Sequence, residues 1–264
     1  MKFHLSLLAL LIFSICEAQT RVTILSYNIY HGELAYEKGK PNLDSVAALI
    51  NKYRPDFVAL QEVDSATGRS ARIYGERTDY VKELAARTGM LGYFGKAMDY
   101  DSGGYGEALL SRRPLNIEVA NLPTPAGGEP RAFIYANTRL ANGQNIIIGG
   151  THLCHQFEEN RLAQVKYIDS TYRSLLVPSL LCGDFNFESS SAAYEILSKY
   201  WKDAGAVARK VPPPTYSTKD PSKRIDYVFY TKRGNWRIVR AETFPVSYSD
   251  HLPILFTFEL TLNE

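Results

Sequence analysis

Surplus charge, cysteine and long apolar runs are all scarce in this 264-residue chain. Lys and Arg number 30 against 28 Asp and Glu, a net charge of +2. That near-balance excludes a protein that grips a long polyanion by charge alone. Only three cysteines occur, too few to staple a chain of this length, so a disulfide scaffold is excluded. Apolar residues make up 45% of the sequence, which excludes disorder. No low-complexity stretch is present, and no Pro/Gly/Ser linker is long enough to separate two domains. No segment reaches the about 20 apolar residues that span a bilayer. What remains is a globular chain with an ample core.

Residues 1–18 read as a secretory signal peptide. Lys2 gives the positive start, Leu5 to Ile15 is apolar except for Ser6 and Ser14, and Cys16-Glu17-Ala18 offers a cleavage site. The expectation is an exported protein, periplasmic or secreted, with residues 19–264 forming a single domain. Cys16 as a lipid-anchored N-terminus is a second reading that Ile15 fits poorly. Cys154 and Cys182 sit in apolar runs and are expected to be buried free thiols.

Short apolar runs rich in β-branched residues predict strands at Val22–Tyr27, Phe57–Leu60, Ala108–Ser111, Ala132–Leu140, Asn145–Thr151, Ser179–Gly183, Ile225–Thr231 and Ile254–Leu260. Leu43, Val46, Ala47 and Ile50 keep helical spacing, with Asn42 as the expected N-cap. Leu162, Val165, Ile168 and Tyr172 form a second stripe, and Val81, Leu84 and Ala85 a third. Loops are expected over Asp99–Gly106, Pro123–Pro130 and Pro212–Arg224. This pattern predicts a layered α/β or α+β domain with a mixed sheet system.

Polar residues cluster where the apolar runs end. Asn28 follows the first run, Gln61-Glu62 the second, His152 the fifth and Asp184-Phe185-Asn186 the sixth. Asp226 lies at the start of the seventh run, and Ser249-Asp250-His251 leads into the last. Sites form where strand ends converge. If these ends meet, one cleft gathers several carboxylates, two imidazoles and two amides. Clustered carboxylates repel, and a hard divalent cation, Mg²⁺ or Mn²⁺ for such oxygen donors, resolves the conflict. Singly, each has a bland reading: Glu62 or Asp184 as a helix cap, Asn28 as a turn residue, His152 as a buried hydrogen-bonded ring, Asp226 or Asp250 as partners of Lys223 or Arg224. Six such residues at successive strand ends make the joint coincidence improbable.

The segments Ser26-Tyr27-Asn28-Ile29, Leu60-Gln61-Glu62-Val63, Gly150-Thr151-His152-Leu153, Gly183-Asp184-Phe185-Asn186, Arg224-Ile225-Asp226-Tyr227-Val228 and Ser249-Asp250-His251-Leu252-Pro253 resemble, in order, those of the endonuclease/exonuclease/phosphatase family. Tyr105 to Arg112 looks like a further family strand, and Tyr30-His31-Gly32 with Thr88-Gly89-Met90 is similar to a secreted bacterial branch. The resemblance implies a four-layer α/β sandwich, two packed mixed β-sheets flanked by helices. It also implies metal-dependent phosphoester hydrolysis, with one or two Mg²⁺ or Mn²⁺ ions. Carried over, Glu62, Asn28 and Asp250 are metal residues. Asp184 orients and deprotonates water, while Asn186, His152 and His251 contact the phosphate or leaving group, and Asp226 fixes His251. Whether His251 is also the base stays open.

Other residues lie outside those motifs. Arg131 is either a phosphate clamp or a strand-end salt bridge, and His31 and Tyr105 are substrate-contact candidates. Glu107 is expected to be a surface charge rather than a metal ligand, and Arg161 an exposed helix charge. His152-x-Cys154-His155 imitates a zinc cluster, but no second Cys/His pair exists. Tyr100 and Tyr248 are further loop tyrosines. The reading is a hydrolase of a small or lipid-linked phosphoester, with a monomer expected. Extracellular DNA is an alternative substrate that the charge does not favour. A non-catalytic binding protein on the same scaffold is an alternative of another class. A serine hydrolase is excluded by the lack of a Gly-x-Ser-x-Gly elbow.

Overall fold

Two β-sheets stack face to face, and helices cover their outer faces. This architecture comes from a computed structural model, which describes residues 20–209 and 211–261. The expected signal peptide and Cys16 lie outside the described residues. The strands are β1 (Thr20–Asn28), β2 (Phe57–Ser65), β3 (Leu91–Tyr100), β4 (Gly103–Ser111), β5 (Asn116–Asn121), β6 (Ala132–Arg139), β7 (Asn145–His152), β8 (Ser179–Asp184), β9 (Trp201–Asp203), β10 (Asp226–Thr231), β11 (Asn235–Thr243) and β12 (Ile254–Thr261). The helices are α1 (Leu43–Tyr53), α2 (Gly68–Tyr74), α3 (Tyr80–Thr88), α4 (Glu158–Leu175), α5 (Ala192–Ser198) and α6 (Ala204–Ala208).

One six-stranded sheet runs β11-β12-β1-β2-β4-β3 and the other β5-β6-β7-β8-β10-β9. Both are mixed: β1 pairs β2 in parallel and β7 pairs β8 in parallel, while their other neighbours are antiparallel. The strand alternation explains the layers. Ile24, Ala59 and Leu109 point inward to meet Ile134, Ile148, Cys182 and Val228 of the opposite sheet. Leu25, Val58 and Leu110 point outward onto Val46, Ile50 and Leu84 of the helices. On the far side Ile147, Leu181 and Phe229 meet Val165, Ile168 and Leu197. The expected four-layer sandwich is therefore the fold.

All eight expected strands are present, but four shorter or half-exposed ones were not read from the sequence: β3, β5, β9 and β11. β5 and β11 lie at sheet edges and alternate exposed and half-buried residues, so they lack an apolar run. The expected loop Asp99–Gly106 is mostly strand, with the turn confined to Asp101 and Ser102. Its glycines let strands pass closely: a Cβ on Gly106 would sit 2.1 Å from the Gly95 carbonyl oxygen. Asn42 does not cap α1 with its side chain. It is buried, and its Nδ2 donates to the carbonyls of Ile29 (2.8 Å), Glu33 (2.9 Å) and Tyr248 (2.8 Å), tying three loops together. Cys154 and Cys182 are buried and free, as expected. No described helix is long and apolar enough to cross a membrane.

Phe258 of β12 is fully buried against Tyr230 and Trp236. We expect Phe258→Ala to lower stability by about 3–5 kcal/mol, read as a lower urea midpoint with unchanged slope. A loss below about 1 kcal/mol would mean that the interior between the sheets is not packed in this way.

Candidate active site

Strand pairing alone gathers the polar strand ends. Asn28 lies beside Gln61 at the end of the β1–β2 pair, and His152 lies beside Asp184 at the end of β7–β8. Asp226 faces Asp184 across the antiparallel β8–β10 pair. The pairing of Ser26 with Ile254 brings the segment before β12, with Asp250 and His251, to the same edge. One cleft of about 680 Å³ lies over this edge, lined by Glu62, Asp184, Asn186, His152, His251 and Asp250 among others.

Local backbone geometry aims these groups. Glu62 sits in a bulge between Leu60 and Val63, where β2 slips against β4, with a left-handed φ of 57°. Asn186 also takes positive φ, 51°, a conformation its short amide tolerates. Gly183, just before Asp184, has φ of 152°, and a Cβ there would lie 1.9 Å from the Thr151 carbonyl oxygen. Only glycine lets β7 and β8 stay close enough to place His152 beside Asp184.

Asp184 is the hub. Its Oδ2 lies 3.2 Å from Asn28 Nδ2, 3.4 Å from His152 Nε2 and 3.5 Å from His251 Nε2. Its Oδ1 accepts the Asn186 backbone N–H at 2.9 Å. Asn28 Nδ2 also donates to Glu62 Oε1 at 3.0 Å, so one amide bridges two carboxylates. Its Oδ1 accepts the Tyr30 N–H at 3.1 Å, which fixes the amide's orientation. Asp226 Oδ2 lies 2.9 Å from His251 Nδ1. Asn186 Nδ2 donates to the Leu153 carbonyl at 3.0 Å. The half-buried Asp250 accepts from Ser249 Oγ at 3.2 Å.

These contacts split the titrations. Burial opposes charge on His251, but Asp226 and Asp184 outweigh it and lift the imidazole to about 10. Burial, together with Arg131, drives His152 well below its ordinary value. Burial raises Asp184 to about 7, with repulsion from Asp226 adding and attraction from His251 opposing. Burial also acts to raise Glu62, yet His31, His152, Asn28 and His251 hold it below the usual carboxylate range. Burial raises Asp250. The site therefore presents one cationic and one neutral imidazole on either side of a carboxylate that titrates near neutrality.

Several sequence expectations change here. Glu107 is not a surface charge: it is 1% exposed, burial raises it to about 8, and neither carboxylate oxygen has a hydrogen-bond partner. The bulge that turns Glu62 outward leaves Glu107 facing inward opposite it, which the one-dimensional pattern does not reveal. Arg161 is half-buried rather than exposed, donating from Nη1 to the carbonyls of Cys154 (2.9 Å) and His155 (3.2 Å). Arg131 is buried, ion-paired with Glu129 at 2.8 Å and close to two histidines. His31 contacts Glu62 (3.4 Å) and Glu33 (3.2 Å) and stands behind the carboxylate rather than on the cleft wall. Tyr105 does line the cleft, whereas Tyr100 and Tyr248 do not. The sequence reading passed over Tyr216, whose ring centroid lies 4.9 Å from that of His251. Its only signal is an aromatic residue in the Pro-rich loop ahead of Asp226.

Atoms of Asp184, Asp226 and His251 approach within 4.8 Å of one another, close enough for a metal ion. His251, however, is the cationic member and is hydrogen-bonded to Asp226, so it is a poor ligand. The better seat is at Glu62, whose carboxyl stays ionised and has Asn28 and Asp184 beside it. The carboxylate oxygens of Glu62 and Asp184 fit a hard divalent cation, while Asn28 turns its NH₂ toward them.

The chain is 29% identical over 134 residues to a UPF0294 protein of Vibrio cholerae, half of this chain and 46% of that one. It spans about half the length of the curated relatives it matches. An endonuclease/exonuclease/phosphatase structure from Beutenbergia cavernae superposes with a TM-score of 0.75 at 22% identity, covering 92% of this chain and 72% of that one. The mannosyl-6-phosphatase of Bacteroides thetaiotaomicron superposes with a TM-score of 0.69 at 16% identity, covering 91% of this chain and all 100% of its own. These likenesses agree in fold with the sandwich described above. The family profile spans residues 25–251, every strand-end residue from Asn28 to His251 included, and the chain belongs to the Endonuclease/Exonuclease/phosphatase family.

Proposed function

We propose that this protein hydrolyses a small, polar phosphoester with the help of Mg²⁺ or Mn²⁺, acting outside the cytoplasm as a member of an exported bacterial branch. The observation that carries the catalytic reading is the convergence of Asn28, His152 and His251 on a single oxygen of Asp184. Asp184 takes a proton from water, and that water attacks phosphorus opposite the leaving oxygen. A base that titrates at about 7 is half ready at neutral pH. The His251 imidazolium and the Asn186 amide meet the negative charge that grows on the phosphoryl oxygens. His152, neutral, presents a hydrogen-bond donor beside Asp184. Glu62, with Asn28 and Asp250 nearby, would hold the cation, and when bound that ion neutralises phosphate charge.

The cleft supports a small substrate. Its volume of about 680 Å³ suits one small ligand. Beyond the centre its walls mix Glu129, Glu158 and Glu188 with Arg131, Arg161 and Lys223. Carboxylates on the walls repel the neighbouring phosphates of a nucleic-acid chain and accept hydrogen bonds from hydroxyl groups. A phosphorylated sugar or polyol meets both signs of charge well, in keeping with the mannosyl-6-phosphatase among the structural relatives. The export part rests on residues 1–18 of the sequence.

The purified protein should hydrolyse bis-p-nitrophenyl phosphate or members of a panel of sugar, inositol, nucleotide and lipid-headgroup phosphates with Mg²⁺ or Mn²⁺. EDTA should abolish turnover. Preferred cleavage of DNA over every small phosphoester would overturn the substrate reading, and activity untouched by EDTA the metal reading. Asp184→Asn should lower kcat by about 10²–10⁴-fold.

Asp226 keeps His251 charged, so the charged form should persist until pH rises through about 10. Asp226→Asn removes that support and moves the ring back toward its ordinary value of about 6.5. The alkaline fall in kcat/KM should therefore begin at lower pH in the variant. An alkaline limb that does not move would separate Asp226 from the protonation of His251.

A further inference from the structure

We infer that Arg131 is a positioning residue, which locks His152 and His155 as neutral rings protonated on Nε2. Its place beside the reacting group rests on the function proposed above. The argument starts from what a guanidinium can do: it only donates hydrogen bonds and stays charged throughout the working pH range. Arg131 Nη1 lies 3.1 Å from His152 Nδ1, and its Nη2 lies 3.0 Å from His155 Nδ1. Each Nδ1 must accept. A neutral ring that accepts at Nδ1 carries its proton on Nε2. In His152 that Nε2–H faces Asp184 Oδ2 at 3.4 Å. The donor that faces Asp184 is thus set by the arginine on the other ring nitrogen.

The same contacts engage the edge of the guanidinium formed by Nη1 and Nη2. Nη1 carries two hydrogens, and both have partners, His152 Nδ1 and Glu129 Oε1 at 2.8 Å. One hydrogen of Nη2 goes to His155. Two N–H groups remain, the second on Nη2 and that of Nε, and Nε is buried without a hydrogen-bond partner. Only 2% of the residue is exposed, so the guanidinium is fixed in the cleft wall beside the two rings. The ion pair with Glu129 helps to hold the buried guanidinium in place.

The test uses the full chain, uniformly labelled with ¹⁵N. Long-range ¹H–¹⁵N spectra of the unsubstituted protein should show His152 and His155 protonated on Nε2 alone. A His152 protonated on Nδ1 would overturn the proposal, whether or not any substrate has been found. In Arg131→Met, His152 should become a mixture of tautomers or cationic, and kcat should fall about 10- to 100-fold with KM changed less than about threefold. Arg131→Lys, which donates from one point, should restore part of kcat. In a His152→Ala background, Arg131→Met should add less than about twofold, because the two residues act as one unit. Independent, multiplying losses with a large rise in KM would assign Arg131 to substrate binding. Absence of turnover on every phosphoester would instead defeat the proposed function and leave the spectra to decide the tautomers.

Discussion

Negative charge confined to a buried floor is the constraint on which this molecule turns. Asp184 and Asp226 face each other across a strand pair, and Glu62 shares Asn28 with Asp184. Left alone, such carboxylates would take up protons or swing toward solvent. Each is instead given a specific partner: His251 for Asp226, Asn28 for Glu62, and the Asn186 backbone N–H for Asp184. The outcome is a graded set of protonation states rather than a uniform one. The partners lie at fixed register positions in two sheets, so the grading is built into the strand pairing itself.

Much of this was legible because strand ends carry a simple signal. An apolar run that stops at Asn28, Glu62, His152 or Asp184 states both the end of a buried strand and the position of a polar group. What was not legible depends on departures from regular pairing. Glu107 follows the alternation of an ordinary strand, and its burial becomes visible only once the opposing bulge at Glu62 is known. Asn42 stands where a cap would stand, but three carbonyls brought from distant loops are stronger claimants for its amide. The edge strands β5 and β11 face water on one side and so carry no apolar run.

Four of the nine non-glycine residues with positive φ among the described residues stand at or beside the cleft. Tyr30, His31, Glu62 and Asn186 all adopt positive φ. For residues other than glycine such positions cost on the order of 1–3 kcal/mol each. The strands that lead to them are anchored between the sheets, where Ile24, Ala59 and Cys182 are fully buried. A rigid interior thus carries the local strain that turns side chains into the cleft.

The pairing of β1 with β12 joins residues as far apart in sequence as Thr20 and Leu260. That pairing and the bridge from Tyr216 bring His251 to the cleft, whereas Asn28 and Glu62 come from the first quarter of the chain. The reacting groups are therefore separated by the longest loop closure the chain makes, of the kind that forms slowly. During synthesis, Asn28, Glu62 and Asp184 leave the ribosome well before their cationic partner exists. Until the segment before β12 docks, the carboxylate floor has no His251 to balance it, so its graded set of charges is complete only when the distant strands have paired.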